Sequence, residues 1–320
     1  MNNDITMNLP TATPGAKSRW LMYALVTTVT WGVWGVFAGL PVDHGFPETL
    51  NYVVWCLTMI PPAWIALRRA GARPQADRPH LLMGVRLQTD RRSVALGLAA
   101  GILGAGGQLV LFYDVRIGPT YLIFPIIALS PALTIALSFS LLGERTGKLG
   151  ILGVVLALAS LPLFDYGSGG ASTYGLWFWL ALVVLAAWGF QAYVIKLANG
   201  SMNAESIFGW MALSAVVSIP FALMLTDFHQ PIHWGWSGPG LAAIIQVLNA
   251  IGALTLVYAF RYGKAIVVSP LINAGAPLLT AVIAMGMSGG LPGPVKLAGV
   301  ALATVAAILL ALQPETPSES

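Results

Sequence analysis

WLMYALVTTVTWGVWGVFAGL, residues 20–40, recurs as WFWLALVVLAAWGFQAYVIKL, residues 177–197. A shift of 157 positions matches Trp20 with Trp177, Ala24 with Ala181, Leu25 with Leu182, Val26 with Val183, Trp31 with Trp188, Gly32 with Gly189 and Leu40 with Leu197. Residues 111–127 recur at a shift of 145, matching Leu111/Leu256, Tyr113/Tyr258, Arg116/Arg261, Gly118/Gly263, Pro125/Pro270 and Ile127/Ile272. Apolar bias alone gives about two or three coincidences per window. It also explains poorly why Trp, Arg, Gly and Pro are among the matched residues. Duplication of this kind in an apolar chain points to membrane carriers.

Composition sets the medium. The 320 residues are 57% hydrophobic and 9% charged, far from the quarter expected of a soluble domain. The apolar residues fall in blocks long enough to cross a bilayer as helices, where every backbone N–H and C=O is satisfied internally. The blocks read as ten spans: 20–40, 48–67, 94–114, 119–141, 149–164, 174–197, 205–225, 239–260, 265–287 and 294–313. The fold class expected is therefore an all-α integral membrane protein of ten transmembrane helices.

The net charge of +4 does not imply nucleic acid, because the cations cluster where topology needs them. Arg68, Arg69, Arg73, Arg78, Arg86, Arg91 and Arg92 all lie between spans two and three. With both termini cytoplasmic, Lys17, Arg19, Arg145, Lys148, Lys196, Arg261 and Lys264 fall inside as well, leaving only Arg116 and Lys296 outside. Cations beside short loops are retained on the cytoplasmic side, so an inner membrane with both ends inside is expected. Cys56 is the single cysteine and admits no intrachain disulfide. Residues 1–19 are a polar cytoplasmic segment without a cleavable apolar centre, and 314–320 read as a disordered tail.

Five spans per half, 20–164 and 174–313, flank a linker at 165–173 that contains Gly167–Ser172. An odd number makes the second half enter from the opposite side. Equivalent helices then run antiparallel, as two inverted five-helix repeats about an axis in the membrane plane. Glu48 and Glu205 obey the shift of 157 and read as helix N-terminal carboxylates favoured by the dipole, with proton coupling as the alternative. Glu48 is the one carboxylate expected within a span on the outer side.

Candidate site residues are polar or aromatic groups inside apolar spans. Gly97, Gly101, Gly104 and Gln108 share one face of span three; the glycines admit a close neighbour, and the amide needs a partner or a cavity. Ala242, Gln246, Asn249 and Ala253 repeat the pattern in span eight, and Asn273 lies in span nine. Trp31 and Trp34 lie near the middle of span one; the shift carries them to Trp188 and Gln191. They either wall a central pocket or pack against the glycine face of span three. For the amides, substrate binding and helix–helix bonding stay open. Pro125 and Pro270, with Pro131 and Pro277 deeper, break spans four and nine and suit gating, lining or a packing kink.

Other motifs fail. Gly143-Glu-Arg-Thr-Gly147-Lys148 is one spacer short of a phosphate loop. The glycines of 101–107 lie inside a span and cannot open a dinucleotide site. His229 and His233 are separated by Pro231 with no further ligands nearby, so neither metal nor cofactor is expected. No titratable cluster converges as a membrane enzyme would need.

Pro131 through Gly143-Glu144-Arg145, then Gly150 and Gly153, resembles the EamA-type drug/metabolite transporter superfamily, with the likeness covering about residues 20–313. The second half departs from it, with Gly289-Gly290-Leu291-Pro292 in place of Gly-Glu. Glu144 is accordingly expected to anchor the cytoplasmic edge with Arg145 rather than to belong to a symmetric coupling pair. The resemblance implies secondary transport of a small metabolite, with a central site between the halves lined by spans one, three, four, six, eight and nine. Together with the neutral, aromatic lining, it suggests alternating access for a neutral or zwitterionic solute, amino acid-like or drug-like, in the direction of export. A weaker likeness of the Gln108–Pro125 region to glucose/ribose-type porters makes sugar uptake the second reading, and a passive channel the third. The partners expected are a solute and the lipid bilayer.

Overall fold

The computed structural model describes residues 16–71, 81–82, 85–118, 123, 126–127, 129–164, 175–288 and 293–312. The helices are α1 Ala16–Phe37, α2 Leu40–Asp43, α3 Glu48–Thr58, α4 Ile60–Gly71, α5 Arg91–Ile117, α6 Ser130–Leu141 and α7 Lys148–Phe164 in the first half. The second half contributes α8 Leu176–Asn199, α9 Ala204–Val217, α10 Ile219–Met224, α11 Leu241–Tyr262, α12 Ala265–Ser288 and α13 Pro294–Leu312. A π-helical turn, Trp236–Gly240, leads into α11. Seven stretches are long and apolar enough to cross a membrane: Arg19–Asp43, Glu48–Ala70, Arg91–Asp114, Leu176–Asn199, Ala204–Met224, Trp236–Tyr262 and Ala265–Met287. Shorter apolar helices occupy Ser130–Leu141, Lys148–Ser160 and Leu297–Leu310. Among the described residues, strands occur in the basic loop, where β1 Leu81–Leu82 pairs antiparallel with β2 Val85–Arg86.

Local chemistry sets several boundaries. Asp90 caps α5 by accepting from the Ser93 amide at 3.0 Å, and bonding to Ser93 holds its carboxyl below the usual carboxylate range. Asn203 caps α9 in the same way, through the Ser206 amide at 2.6 Å. Gln88 then ties the end of the basic loop to that cap, accepting from the Asn203 amide at 2.6 Å and donating its own amide proton to Ser206 at 3.0 Å. The second span of each half is interrupted once, at Met59 between α3 and α4 and at Ser218 between α9 and α10. Pro61, Pro62 and Pro220 supply the reason, since each lacks the amide proton a continuous helix requires.

Packing repeats the sequence duplication in space. α1 packs on α11 and α12, α8 packs on α5 and α6, and α7 pairs with α13. The Trp31 ring covers Gly252 of α11, and the Trp188 ring covers Gly107 of α5; those glycines are themselves 145 residues apart. Gly32 faces Leu279, and Gly189 faces Leu133. Thr280 donates to the Gly32 carbonyl at 2.8 Å, and Thr134 donates to the Gly189 carbonyl at 3.2 Å. Gly118 lies under Trp177 beside Ile123, as Gly263 lies under Trp20 beside Val268. In an apolar solvent such close contacts and interhelical hydrogen bonds hold helices together, because lipid gives no hydrophobic drive. The outward faces carry exposed Leu25, Val29, Ile102, Ile151, Trp179, Val183 and Ile244, as lipid contact requires.

Candidate functional site

Where α1, α3, α5 and α11 meet, Trp34, Trp55, Gln108, Phe112, Gln246 and Asn249 line a small cavity. Three aromatic faces and three amides make the wall, without a charged side chain. Gly252 permits this meeting by letting α1 lie against α11, with Trp31 donating its indole proton to the Asn249 carbonyl at 3.2 Å. Trp34 Nε1 donates to Gln246 Oε1 at 3.1 Å. Gln246 Nε2 donates to Asn51 Oδ1 at 2.9 Å, and Asn51 Nδ2 donates to the Ala38 carbonyl at 3.4 Å. Trp55 Nε1 donates to Asn249 Oδ1 at 3.1 Å. Buried amides are thereby satisfied across helices, and their rotamers are fixed.

The cavity gathers Trp34, Gln108, Gln246 and Asn249 from the residues singled out in the sequence. Trp31 stands behind it. Trp188 and Gln191 pack on Gly107 and Gly104 of α5 instead. Asn273 bonds the Ser269 carbonyl of its own helix at 2.9 Å. Pro270 and Pro277 lie inside α12, and Pro277 withholds the proton that the Asn273 carbonyl would accept. Pro131 begins α6 rather than interrupting it, and Pro125 lies outside the described residues. Trp55, Phe112 and Asn51 were not legible as site residues. The amide Asn51 in an apolar span carried a signal; Phe112 carried none.

Charge collects at one edge of the bundle. The Glu144 carboxylate anchors this edge through partners other than Arg145, whose guanidinium donates to the Glu144 backbone carbonyl at 3.2 Å. Glu144 Oε1 lies 3.6 Å from Lys196 Nζ, and its Oε2 accepts from the Ile266 amide at 3.0 Å in the first turn of α12. Lys196 also donates to the carbonyls of Phe260 and Gly263 at the end of α11. A carboxylate thus meets the positive end of one helix and an ammonium the negative end of another. Arg145 turns back onto the Phe139 ring and the Phe139 carbonyl. Nor is Glu48 the only candidate carboxylate within a span. Asp114, the last residue of span three, lies within α5, wholly buried, with no hydrogen-bond partner to either oxygen among the described residues.

Comparison with known proteins fits this architecture. The sequence model of the EamA-like transporter family matches residues 18–164 and 175–312. The pseudopaline exporter CntI of Pseudomonas aeruginosa, in strains UCBPP-PA14 and PAO1, is 28% identical over 187 residues, 56% of this chain and 62% of that exporter. The likeness therefore spans less than two thirds of the relative's length. A solved structure, described only as the crystal structure of a protein, superposes with a TM-score of 0.70 over 91% of this chain and 98% of its own, at 16% identity. That likeness concerns the fold alone. The chain is a multi-pass membrane protein, and it belongs to the EamA-like transporter family.

Proposed function

We propose that this chain is a ten-span carrier of two inverted five-helix repeats, exporting a small neutral or zwitterionic metabolite across the inner membrane by alternating access. The observation that carries the reading is the uncharged aromatic and amide cavity between helices of both halves. Paired contacts support the inverted arrangement: a Trp ring on Gly252 and on Gly107, and a Thr hydroxyl on Gly32 and on Gly189. Seven long apolar helices overlap seven of the ten blocks, and the shorter Ser130–Leu141, Lys148–Ser160 and Leu297–Leu310 overlap the other three, which supports ten spans. The exporter CntI, as a relative, favours export. The cation distribution favours both termini inside.

In this reading Trp34, Trp55, Gln108, Phe112, Gln246 and Asn249 hold the solute. Trp31, Trp188 and Gln191 fix the helices around them, and Pro270 and Pro277 give α12 the freed carbonyls at which it bends. The space between these side chains is small, so the site opens further as a solute enters. A carrier exchanges labelled for unlabelled solute across liposomes, whereas a channel shows no counterflow. Screening a solute panel by counterflow, with and without a pH gradient, identifies the substrate and its coupling. Replacing Gln246 and Asn249 by Ala abolishes exchange if the site is correct; unchanged exchange removes it.

A further inference from the structure

Helix α1 packs with α11 and α12, and α8 packs with α5 and α6. Polar bonds cross from one group to the other at the edge where α6 and α8 end. Gly143, at φ +64°, turns the chain back after α6, and the Glu144 amide donates to the Ser138 carbonyl at 3.0 Å. Glycine adopts that conformation without strain. The turn holds Glu144 on α6 and sends its carboxylate across to the Ile266 amide in the first turn of α12. Lys196 reaches from α8 to the Phe260 and Gly263 carbonyls at the end of α11, and Asn199 donates to the Val257 carbonyl at 3.0 Å. Lys264 bonds back in the other direction, donating to the Arg145 carbonyl at 3.0 Å. The Glu144 and Lys196 side chains are only 9% and 19% exposed, so salt and water screen this cross-tie weakly. The opposite edge lacks the groups to copy it. Duplication places Gly39 at the equivalent of Lys196, Val42 at that of Asn199 and Gly289 at that of Glu144, none with a polar side chain.

From this asymmetry we infer that Glu144 and Lys196 form a one-sided latch, which holds the two helix groups together at their cytoplasmic edge and must open before solute enters from that side. The inference rests on the alternating-access reading and adds a resting state to it, closed inside and open outside. Each charge is matched twice, to its counter-ion and to a helix end of suitable sign. The carboxylate meets the N-terminus of α12, and the ammonium meets the C-terminus of α11. That gives the latch a direction which a bare ion pair lacks. Exchanging the two charges would preserve the pair but set each against a helix end of its own sign. Closing the outer edge gains nothing comparable, so the equilibrium leans to the latched form.

The test measures distances between paired spin labels by double electron–electron resonance, on the full-length protein in lipid nanodiscs with Cys56→Ala. The inner pair is Arg19→Cys, near the start of α1, with Ser201→Cys, just beyond α8. The outer pair is His44→Cys with Leu176→Cys at the start of α8, and all four positions are exposed. Glu144→Gln with Lys196→Met removes both charges together, so no buried charge is left unpaired and the fold is spared. In this neutral variant the share of molecules with a long inner distance should rise about fivefold or more, while the outer pair draws closer. The exchanged variant, Glu144→Lys with Lys196→Glu, should also open the inner edge, by about threefold or more. A parental inner distribution in the neutral variant, or closure restored by the exchange, would overturn the latch; the neutral variant decides alone if the exchanged one fails to fold. A longer inner distance with the outer pair fixed would uphold the latch and count against alternating access.

Discussion

α1 against α11 and α12, and α8 against α5 and α6, are the same assembly built twice with different contents. Both use a tryptophan over a glycine and a threonine on a glycine carbonyl. Beyond that shared frame they diverge. The first carries Trp34, Gln246 and Asn249; the equivalent positions in the second are Gln191, Gly101 and Gly104. The first encloses a polar cavity, while in the second Gln191 simply fills the space over Gly104. Duplication has kept the contacts that hold helices at close range and let the groups at the cavity vary. A carrier needs two similar halves to rock, but it needs only one set of solute contacts.

The edges differ most, and so does the effect expected from altering them. Lys196, which bridges Glu144 to the end of α11, has Gly39 as its equivalent. Glu144→Ala should cost about 3 kcal/mol, since it leaves a mostly buried ammonium without its counter-charge; thermal unfolding in detergent measures this. Gly39→Ala, at the equivalent edge, should change stability by less than about 0.5 kcal/mol. Next come the glycines under the tryptophans. Gly252→Val and Gly107→Val each force a ring away from its seat and should each cost about 2 kcal/mol. Equal losses support a common frame, whereas a loss at one position alone breaks the comparison.

Transport separates the halves. Asn249→Ala should reduce counterflow at least tenfold, about 1.4 kcal/mol, while Gln191→Ala should stay within about threefold. The threonines give the smallest effect: Thr280→Val and Thr134→Val each remove one interhelical hydrogen bond, worth about 0.6 kcal/mol in a bilayer. Similar small losses at both positions sharpen the equivalence.

The frame was legible in the sequence because membrane spans announce themselves by length and composition, and paired Trp and Gly survive as identities. The site was legible in part. Gln108, Gln246 and Asn249 stand out as amides in apolar helices, and Trp34 stands out by position. Trp55 does not, since its meaning lies in a bond to Asn249 on a helix 194 residues away. The same holds for Glu144, whose partner Lys196 is brought near by the fold while its sequence neighbour Arg145 turns elsewhere. Asp114 was passed over for a different reason: it is the last residue of span three as read, 94–114, where a carboxylate looks like a span end, yet α5 runs on to Ile117.

Alternating access by this fold depends on the two halves facing opposite ways. His44 and Ser201 are equivalent under the shift of 157, and both are exposed at the end of their spans. In a Cys56→Ala background, His44→Cys and Ser201→Cys can each be probed in intact cells with a membrane-impermeant maleimide. Labelling of His44→Cys from outside, with Ser201→Cys reacting only after permeabilisation, is the predicted result. Labelling of both from the same side would contradict the inverted arrangement and the carrier mechanism built on it.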